Sequence, residues 1–432
     1  MPDVAATQLP EQHTDANSNL KSLQVLVVAT TFPRWENDTE PRFVFDLSKQ
    51  LAKKVSLWVL APHAPGAKME EEIEGVKILR FPYFFPKRLQ TLCYEGGILP
   101  KLKTKWLARL QLPFFFAAQC LAIWRTVRKH DINFIHCHWV IPQGFFVALL
   151  TSFSKVPYLL TAHGGDVYSF RKNSFIRRCS SYALKRAKTC TVNSQPTGQA
   201  VRNIRADTRI EILPMGVDTE LFHPGKFNPK IKDDLNIQDI FLLAVGRFAE
   251  KKGFKYLIQA MPEILNKRPL VKLVIIGFGP QEHALKQCVR QLGLENAVLF
   301  VGSKEGEELA EYFATADIFI GPSIVTDSGD TEGQGVVFLE AMASETAVIA
   351  SDVGGVKDIV CNRETGLLIP QKNPEAIAEK TLLLMNDQEL RNQLALNGRR
   401  LAKSEYSWET IAKRFLETYS QIIEKHVDTS LS

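Results

Sequence analysis

Phe241-Leu-Leu-Ala-Val-Gly-Arg-Phe-Ala-Glu-Lys-Lys-Gly253 begins as an unbroken apolar run and ends in glycine and cations. A strand that is apolar at every position, rather than at alternate ones, is covered on both faces, and such strands belong to parallel sheets with helices on either side. Downstream the same kind of run returns at Lys272–Ile276, Ala297–Phe300, Ile318–Ile320 and Ala347–Ala350. Upstream it occurs at Leu23–Ala29, Ser56–Leu60, Phe134–His136, Tyr158–Thr161 and Thr189–Val192, with helical patterns between. A proline-punctuated segment, Ile212-Leu-Pro-Met-Gly-Val-Asp-Thr-Glu-Leu-Phe-His-Pro224, separates the two sets and reads as a linker. The expected class is α/β: two doubly wound, Rossmann-like domains over 21–212 and 236–402, joined by a linker over 213–235 and facing a central cleft. Beyond them, over 403–432, Trp408, Ile411, Phe415, Tyr419 and Ile422 form a helical stripe that needs a surface to cover, and the N-terminal domain is the expected one.

At 432 residues the chain is too long for one core and suits two domains. Its 45% hydrophobic and 23% charged content is that of an ordinary globular protein. Residues 1–20 are polar, with neither a basic start nor an apolar core, and read as a disordered tail rather than a signal peptide. Seven cysteines, odd in number and without a CxxC, read as reduced thiols of a cytosolic protein. The net charge of +6 is unevenly placed: nine Lys or Arg and one acid lie between Phe81 and His130, interleaved with aromatics. Lys101, Lys103, Lys105 and Arg109 are a dense part of it. Two uses fit this segment, an anionic membrane surface or a buried aromatic helix with solvated cations. Nucleic acid is not an expected partner, since no binding motif accompanies the charge.

Three places carry chemistry. In Thr331-Glu-Gly-Gln-Gly-Val-Val-Phe-Leu-Glu-Ala-Met-Ala343, Glu332 lies in a glycine-broken loop and Glu340 about two turns into the helix expected over 336–343. Open amides at a helix N-terminus attract phosphates and polarised hydroxyls, and glycines let a ligand approach the backbone. Two carboxylates so placed can each grip a pair of sugar hydroxyls, although two solvated acids on an ordinary helix would share the spacing. Arg247 and Lys252 follow the strand ending at Val245, where α/β sheets bind ligands. Two cations there suit a diphosphate leaving group, Arg as a fork and Lys as a point charge, in place of a metal ion. Ile276-Gly-Phe-Gly-Pro280 is no dinucleotide fingerprint, because Pro280 and Glu282 interrupt it. His163 follows the strand Tyr158–Thr161 and precedes Gly164, Gly165 and Asp166, a position from which an imidazole reaches an interdomain cleft. His136 and His138 share a strand face, but nothing else of ligand spacing accompanies them, so no metal site is expected.

Taken together, Gly246–Gly253, the linker and Gly321–Gly355 resemble the retaining nucleotide-sugar glycosyltransferases of family four, with the GT-B architecture, over roughly residues 22–425. Thr326-Asp-Ser-Gly-Asp-Thr-Glu332 and Ala162-His-Gly-Gly-Asp-Val167 are similar to the versions in enzymes of bacterial surface-polysaccharide synthesis. The resemblance implies a UDP- or GDP-sugar donor, a saccharide or lipid-linked acceptor, and no cofactor or metal. It implies Arg247 and Lys252 on the diphosphate, Glu340 on the ribose, and Glu332 with the amides of Gly333, Gln334, Gly335 and Val336 on the donor sugar. Gly277 and Gly279 would lie near the nucleotide, with Ser303 and Lys304 at the base edge. His163 and Asp166 would stand at the reacting centre and acceptor side, and Asn37 and Arg42 on the acceptor side of the N-terminal loop. Asn37 replaces the family's usual glycine, and Asp358 its frequent Glu. The unpaired cysteines suggest the cytoplasm, and the basic aromatic segment 81–130, in its membrane reading, suggests a peripheral place on the inner face of the plasma membrane. A GT-B sugar-nucleotide epimerase and a non-catalytic sugar-nucleotide binder are the alternatives.

Overall fold

The computed structural model describes residues 20, 22–36, 38, 40–94, 97–98, 101–102, 105–168 and 173–431. The expected tail at 1–20 (Leu20 aside) and Asn37 lie outside the described residues.

Two sheets form two Rossmann-like domains. In the N-terminal sheet β1 (Gln24–Val28) lies beside β2 (Ser56–Pro62) and β5 (Phe134–His138). β6 (Tyr158–Ala162), β7 (Thr189–Val192) and β8 (Ile210–Ile212) continue one side, all parallel. On the other side β4 (Val76–Phe81) joins β2, and β3 (Glu70–Ile73) closes the edge as the one antiparallel strand of the sheet. The second sheet has the order β11-β10-β9-β12-β13-β14. Its strands are β9 (Phe241–Val245), β10 (Lys272–Ile276), β11 (Val298–Phe300), β12 (Ile318–Gly321), β13 (Ala347–Ser351) and β14 (Leu367–Ile369), all parallel. β9 is buried at every position, as its unbroken apolar run requires.

The helices that bear on function, numbered in chain order, are α1 (Phe43–Ala52), α2 (Trp106–Lys129), α3 (Phe145–Ser154), α4 (Ser174–Arg186), α5 (Gln195–Ile204), α6 (Phe254–Lys267), α7 (Val336–Ala343) and α8 (Trp408–Leu431). The C-terminal helix α8 does cross back. Trp408, Ile411, Phe415, Tyr419 and Ile422 are buried in one core with Val25 and Val27 of β1 and Leu47 and Leu51 of α1. At five buried aliphatic or aromatic side chains, that stripe contributes on the order of 10 kcal/mol of apolar burial against the unfolded chain, an upper bound.

The segment between the sheets is more ordered than a free linker. Leu213 and Met215 belong to the N-terminal core, while Phe222 and Ile231, the latter in a short helix at Pro229–Asp234, belong to the C-terminal one. Val217 pairs with Ser407 as a bridge, so the two strands of chain that cross between domains are hydrogen-bonded to each other.

Candidate active site

The C-terminal wall of the cleft is made of loops at the carboxyl ends of β9, β10 and β12. After β9, Gly246 sits at φ 152, and a Cβ there would lie 3.2 Å from Lys252 Cε. Gly253, left-handed at φ 66, starts α6, and a Cβ would come within 1.9 Å of the Pro322 carbonyl oxygen. That turn aims Lys252 at the β12 loop, where its Nζ donates to Glu332 Oε2 at 2.5 Å. Burial pushes the Glu332 carboxyl up, but the Lys252 ammonium beside it outweighs this and holds it below the usual carboxylate range. Arg247 is exposed, and its guanidinium has no partner among the described residues.

Gly277 and Gly279 serve close packing of backbone on backbone. A Cβ on Gly277 would lie 2.0 Å from Gly246 O, and one on Gly279 2.8 Å from Phe248 O. Gly277 N also donates to Gly302 O at 2.8 Å, which ties the third loop to the first two. Beyond it Ser303 is exposed, while Lys304 pairs with Glu308 at 2.5 Å over the Tyr312 ring.

α7 begins at Gly335, left-handed at φ 83, and no side chain caps it, so its first amides are open to a ligand. Glu340 is the fifth residue of α7, in its second turn rather than at the end of it. Its Oε2 is buried without a hydrogen-bond partner. Burial pushes this carboxyl up to about 7, opposed by Lys252 and assisted by Asp46 across the cleft. Asp46, on α1, is likewise pushed up to about 7 by burial. Gln334 is expected to meet the donor through its backbone amide, and its side chain has a separate use. Its side chain is buried, Oε1 accepting from Met215 N and Nε2 donating to Met215 O, both at 2.7 Å. The side-chain carboxamide therefore fastens the interdomain segment, and the backbone amide is the group left to face a sugar.

On the N-terminal wall, His163 follows β6 and faces Phe43 and Trp139, with ring centroids 5.1 and 5.0 Å away. Asp166 does not reach out to an acceptor. Its Oδ1 accepts from His163 N at 3.0 Å and its Oδ2 from Val140 N at 2.7 Å, which makes it the clasp of the loop. Arg42 at the start of α1 is also committed, to Glu74 at 2.9 Å and to Asp46 at 3.5 Å.

The sequence reading missed what the H-x-H pair does. His138 Nδ1 lies 2.9 Å from His163 Nε2, with the rings stacked at 17°. His136 joins Tyr419 of α8 through Nδ1 and Thr161 through Nε2, both at 2.7 Å. Burial pushes His163 and His136 down to about 3 and His138 well below its ordinary range, so all three are neutral at pH 7. His138 Nε2 is buried and unpartnered. A bare lone pair there costs less than a buried N–H without an acceptor, so His138 donates from Nδ1 and His163 accepts at Nε2. The proton of His163 then sits on Nδ1. Among the described residues no cluster of three or more His, Cys, Asp or Glu is placed to hold a metal ion.

The walls meet at Gly333. A Cβ there would lie 3.1 Å from His163 O and 3.3 Å from Asn193 Nδ2. Asp358, on the C-terminal side, accepts from Gln195 N at the start of α5 at 2.6 Å. Donor-side and acceptor-side loops are thus in contact, with Glu332, Lys252 and His163 gathered around one junction.

The sequence profile of glycosyl transferases group 1 matches residues 227–401, and that of glycosyltransferase family 4 matches residues 41–221. An uncharacterised glycosyltransferase of Methanocaldococcus jannaschii is 30% identical over 69% of this chain and 77% of its own. A GDP-mannose-dependent alpha-(1-6)-phosphatidylinositol monomannoside mannosyltransferase of Mycobacterium tuberculosis is 30% identical over 68% of this chain and 77% of its own. Sucrose-phosphate synthase from Thermosynechococcus elongatus superposes with a TM-score of 0.74 at 22% identity, over 93% of this chain and all of that one. Anabaena HepE in complex with UDP-glucose gives 0.70 at 19%, over 92% and 100%. At those two identities the likeness is one of fold, and the fold is GT-B. The chain belongs to the family-four, group 1 glycosyltransferases and is a hexosyltransferase.

Proposed function

We propose that the protein moves a hexose from a UDP- or GDP-sugar to a hydroxyl of a lipid-linked saccharide, with retention at the anomeric carbon, in the synthesis of a surface polysaccharide. The observation that carries this reading is the unfinished C-terminal wall. An Arg247 without a partner among the described residues, the buried Lys252–Glu332 pair and an orphaned Glu340 oxygen surround the open N-terminus of α7. Arg247 and Lys252 hold the diphosphate, Glu340 accepts from the ribose hydroxyls, and Glu332 with the first amides of α7 holds the sugar. As the bond from the anomeric carbon to the diphosphate oxygen breaks, the acceptor oxygen bonds to the same face and its proton passes to the departing diphosphate. Negative charge grows on the leaving group during this step, and fixed cations stabilise it there more than in the ground state. With two cations in that role, no metal or cofactor takes part. The relatives' GDP-mannose and the UDP-glucose of HepE frame the choice of donor. The reaction is placed in the cytoplasm, at the inner face of the plasma membrane.

Pure protein incubated with labelled UDP- and GDP-sugars and a membrane extract tests the reading. Label in a lipid-extractable saccharide, with the anomeric coupling of the donor preserved, is the expected result. An altered free sugar nucleotide without acceptor would make it an epimerase, and binding without either product would make it a non-catalytic binder. Loss of activity in EDTA with recovery on Mg²⁺ would overturn the metal-free step.

A further inference from the structure

Between Gly96 and Ala206 the chain carries seventeen Lys or Arg and two acids, Asp131 and Asp166, a net of +15, while all other residues together sum to −9. Asp166 is buried, so this stretch presents almost undiluted positive charge. The same stretch contains α2, whose burial is inverted. Its inward face is Ala108, Gln111, Phe115, Gln119, Ile123 and Thr126, half of them polar. Its outward stripe is Trp106, Leu110, Phe114, Leu121 and Trp124, apolar throughout and repeating at helical spacing. Trp106 is 74% exposed.

Aromatic contacts carry the surface across two more helices. Phe116 of α2 meets Phe146 of α3 at 4.7 Å, and Phe145 of α3 meets Tyr182 of α4 at 6.0 Å. Phe153 at the end of α3 is 88% exposed and Phe175 at the start of α4 is 72% exposed. An apolar face spread over three packed helices is far from the scattered single side chains of an ordinary surface. Cations border it: Arg128 lies over the Trp124 ring at 4.5 Å, with Arg125 and Lys129 beside it and Arg177 and Arg178 on α4.

We propose that α2, α3 and α4 form a face that docks on an anionic bilayer, with α2 lying in the plane of the headgroups. By length and composition α2 is able to cross a membrane. Its inner face, however, packs on β2 and β4, which holds the helix flat along the domain. Trp106, Phe114 and Trp124 then enter the boundary between headgroups and acyl chains, where aromatic rings favour a mixed environment, and the cations meet lipid phosphates. A second copy of the chain is disfavoured as occupant, because it would bring the same positive charge to the same face. Nucleic acid would reward the cations but not Leu110, Leu121 or Phe153. The cations that serve differ from the dense cluster the sequence suggests: Lys101 is buried and donates to Cys93 O at 3.0 Å, Arg109 donates to Leu102 O at 2.7 Å, and Lys103 lies outside the described residues. The face stands apart from the donor loops, so it and the sugar-transfer reading can fail separately.

Vesicle sedimentation with the full chain tests the proposal, using phosphatidylcholine vesicles with and without phosphatidylglycerol. Wild type is expected to sediment with the anionic vesicles at low salt, and at least tenfold less with neutral ones or at high salt. The exposed triple W106S/F114S/W124S, and separately R125Q/R128Q/K129Q, are each expected to lower partitioning tenfold or more while donor hydrolysis is unchanged. If the apolar triple fails to fold, Phe153→Ser with Phe175→Ser carries the same test from α3 and α4. Bromolipids are expected to quench the fluorescence of wild type more than that of the triple. Wild type remaining in the supernatant at low salt would overturn the proposal, as would equal partitioning by both variant sets. Dimers in sedimentation velocity that dissociate in the apolar triple, without vesicle binding, would assign the face to self-association instead.

Discussion

On the N-terminal wall of the cleft, His163 spends its ring nitrogen on His138, Thr161 its hydroxyl on His136, and Asp166 its carboxylate on the backbone of His163 and Val140. On the C-terminal wall, Arg247 has no partner among the described residues and Glu340 Oε2 is buried without one. One wall is organised before any ligand arrives, and the other is organised around a ligand. The difference follows from the chemistry each must perform. A group that positions a reacting centre is most effective when it is already fixed. Groups that bind a polyanion must keep their charge unspent until it comes.

The largest effect is expected where charge develops. Arg247→Ala removes a contact that strengthens as the leaving group forms, so turnover should fall by roughly 10²-fold or more. Steady-state kinetics with saturating donor measure it. Turnover equal to wild type would mean that the exposed guanidinium is ordinary surface and that the C-terminal wall is not the reacting one. Glu332→Gln should follow in the same direction, since it also discharges the Lys252 pair.

Next comes the orphaned acid. The folded Glu340 carboxyl titrates near 7, above the ordinary value of 4.5, so the folded state holds its proton where the unfolded chain has lost it. Stability from this group is therefore complete below about pH 4.5 and is lost as pH rises through 7, at a cost on the order of 3 kcal/mol. Asp46, also raised to about 7, adds to the same trend. Without ligand, Glu340→Gln should be more stable than wild type at pH 7.5 and no more stable at pH 4.5, in thermal melts. A variant less stable at both values would show that Glu340 is held by a bond inside the protein, and the contrast between the walls would disappear. Donor binding should show the reverse preference, weaker in the variant at pH 7.5.

On the opposite wall the expected effect is smaller. His138→Phe keeps a flat ring against His136 but removes the Nδ1 donor to His163, so His163 is left free to turn. Turnover should drop about tenfold with the KM for donor unchanged, because misplacing a group at the reacting centre affects rate more than binding. A rise in KM with normal turnover would mean that His138 supports the fold alone.

How far the sequence was legible depended on whether burial or geometry carried the signal. β9 was read to the residue from its unbroken apolar run, and β10 from the four apolar residues after Lys272, because continuous burial leaves no alternation to misjudge. β3, β4, β8 and β14 were not expected. Glu70-Glu-Glu72 offers charge instead of an apolar run, and β3 exists because the tight turn at Glu74-Gly75 folds it back on β4 at the sheet edge. At the site, residue types gave Arg247, Lys252, Glu332 and Glu340, and the structure brings Lys252 against Glu332. The side-chain role of Gln334 was not legible, because its carboxamide is bonded to Met215, 119 residues away. Nor was the bond of Asp166 to the backbone of Val140, 26 residues away. A hydrogen bond to a backbone group far along the chain leaves no mark on spacing. The H-x-H pair was noticed, and its shared strand face was the right clue, but the partners that give it meaning lie on α8 and beyond β6.

The smallest expected effect tests how the N-terminal wall is held. Tyr419 comes from α8, 283 residues beyond His136, yet its hydroxyl contacts the His136 ring at 2.7 Å. Its ring also packs on Phe134 at 4.6 Å, so Tyr419→Phe removes one hydrogen bond and leaves the packing. Stability should fall by about 1 kcal/mol, the ordinary value of one buried bond whose partner is left unsatisfied. Denaturant melts at constant m-value measure that loss. If the histidines act as one unit, the variant should also lose roughly twofold in turnover, because the tilted His136 ring packs on His138 at 4.2 Å and a loosened His136 lets His138 shift. A stability loss with wild-type turnover would confine the role of α8 to packing. Lost turnover at wild-type stability would show instead that the C-terminal helix sets the orientation of His163, and the preformed wall would then be the work of residues from both ends of the chain.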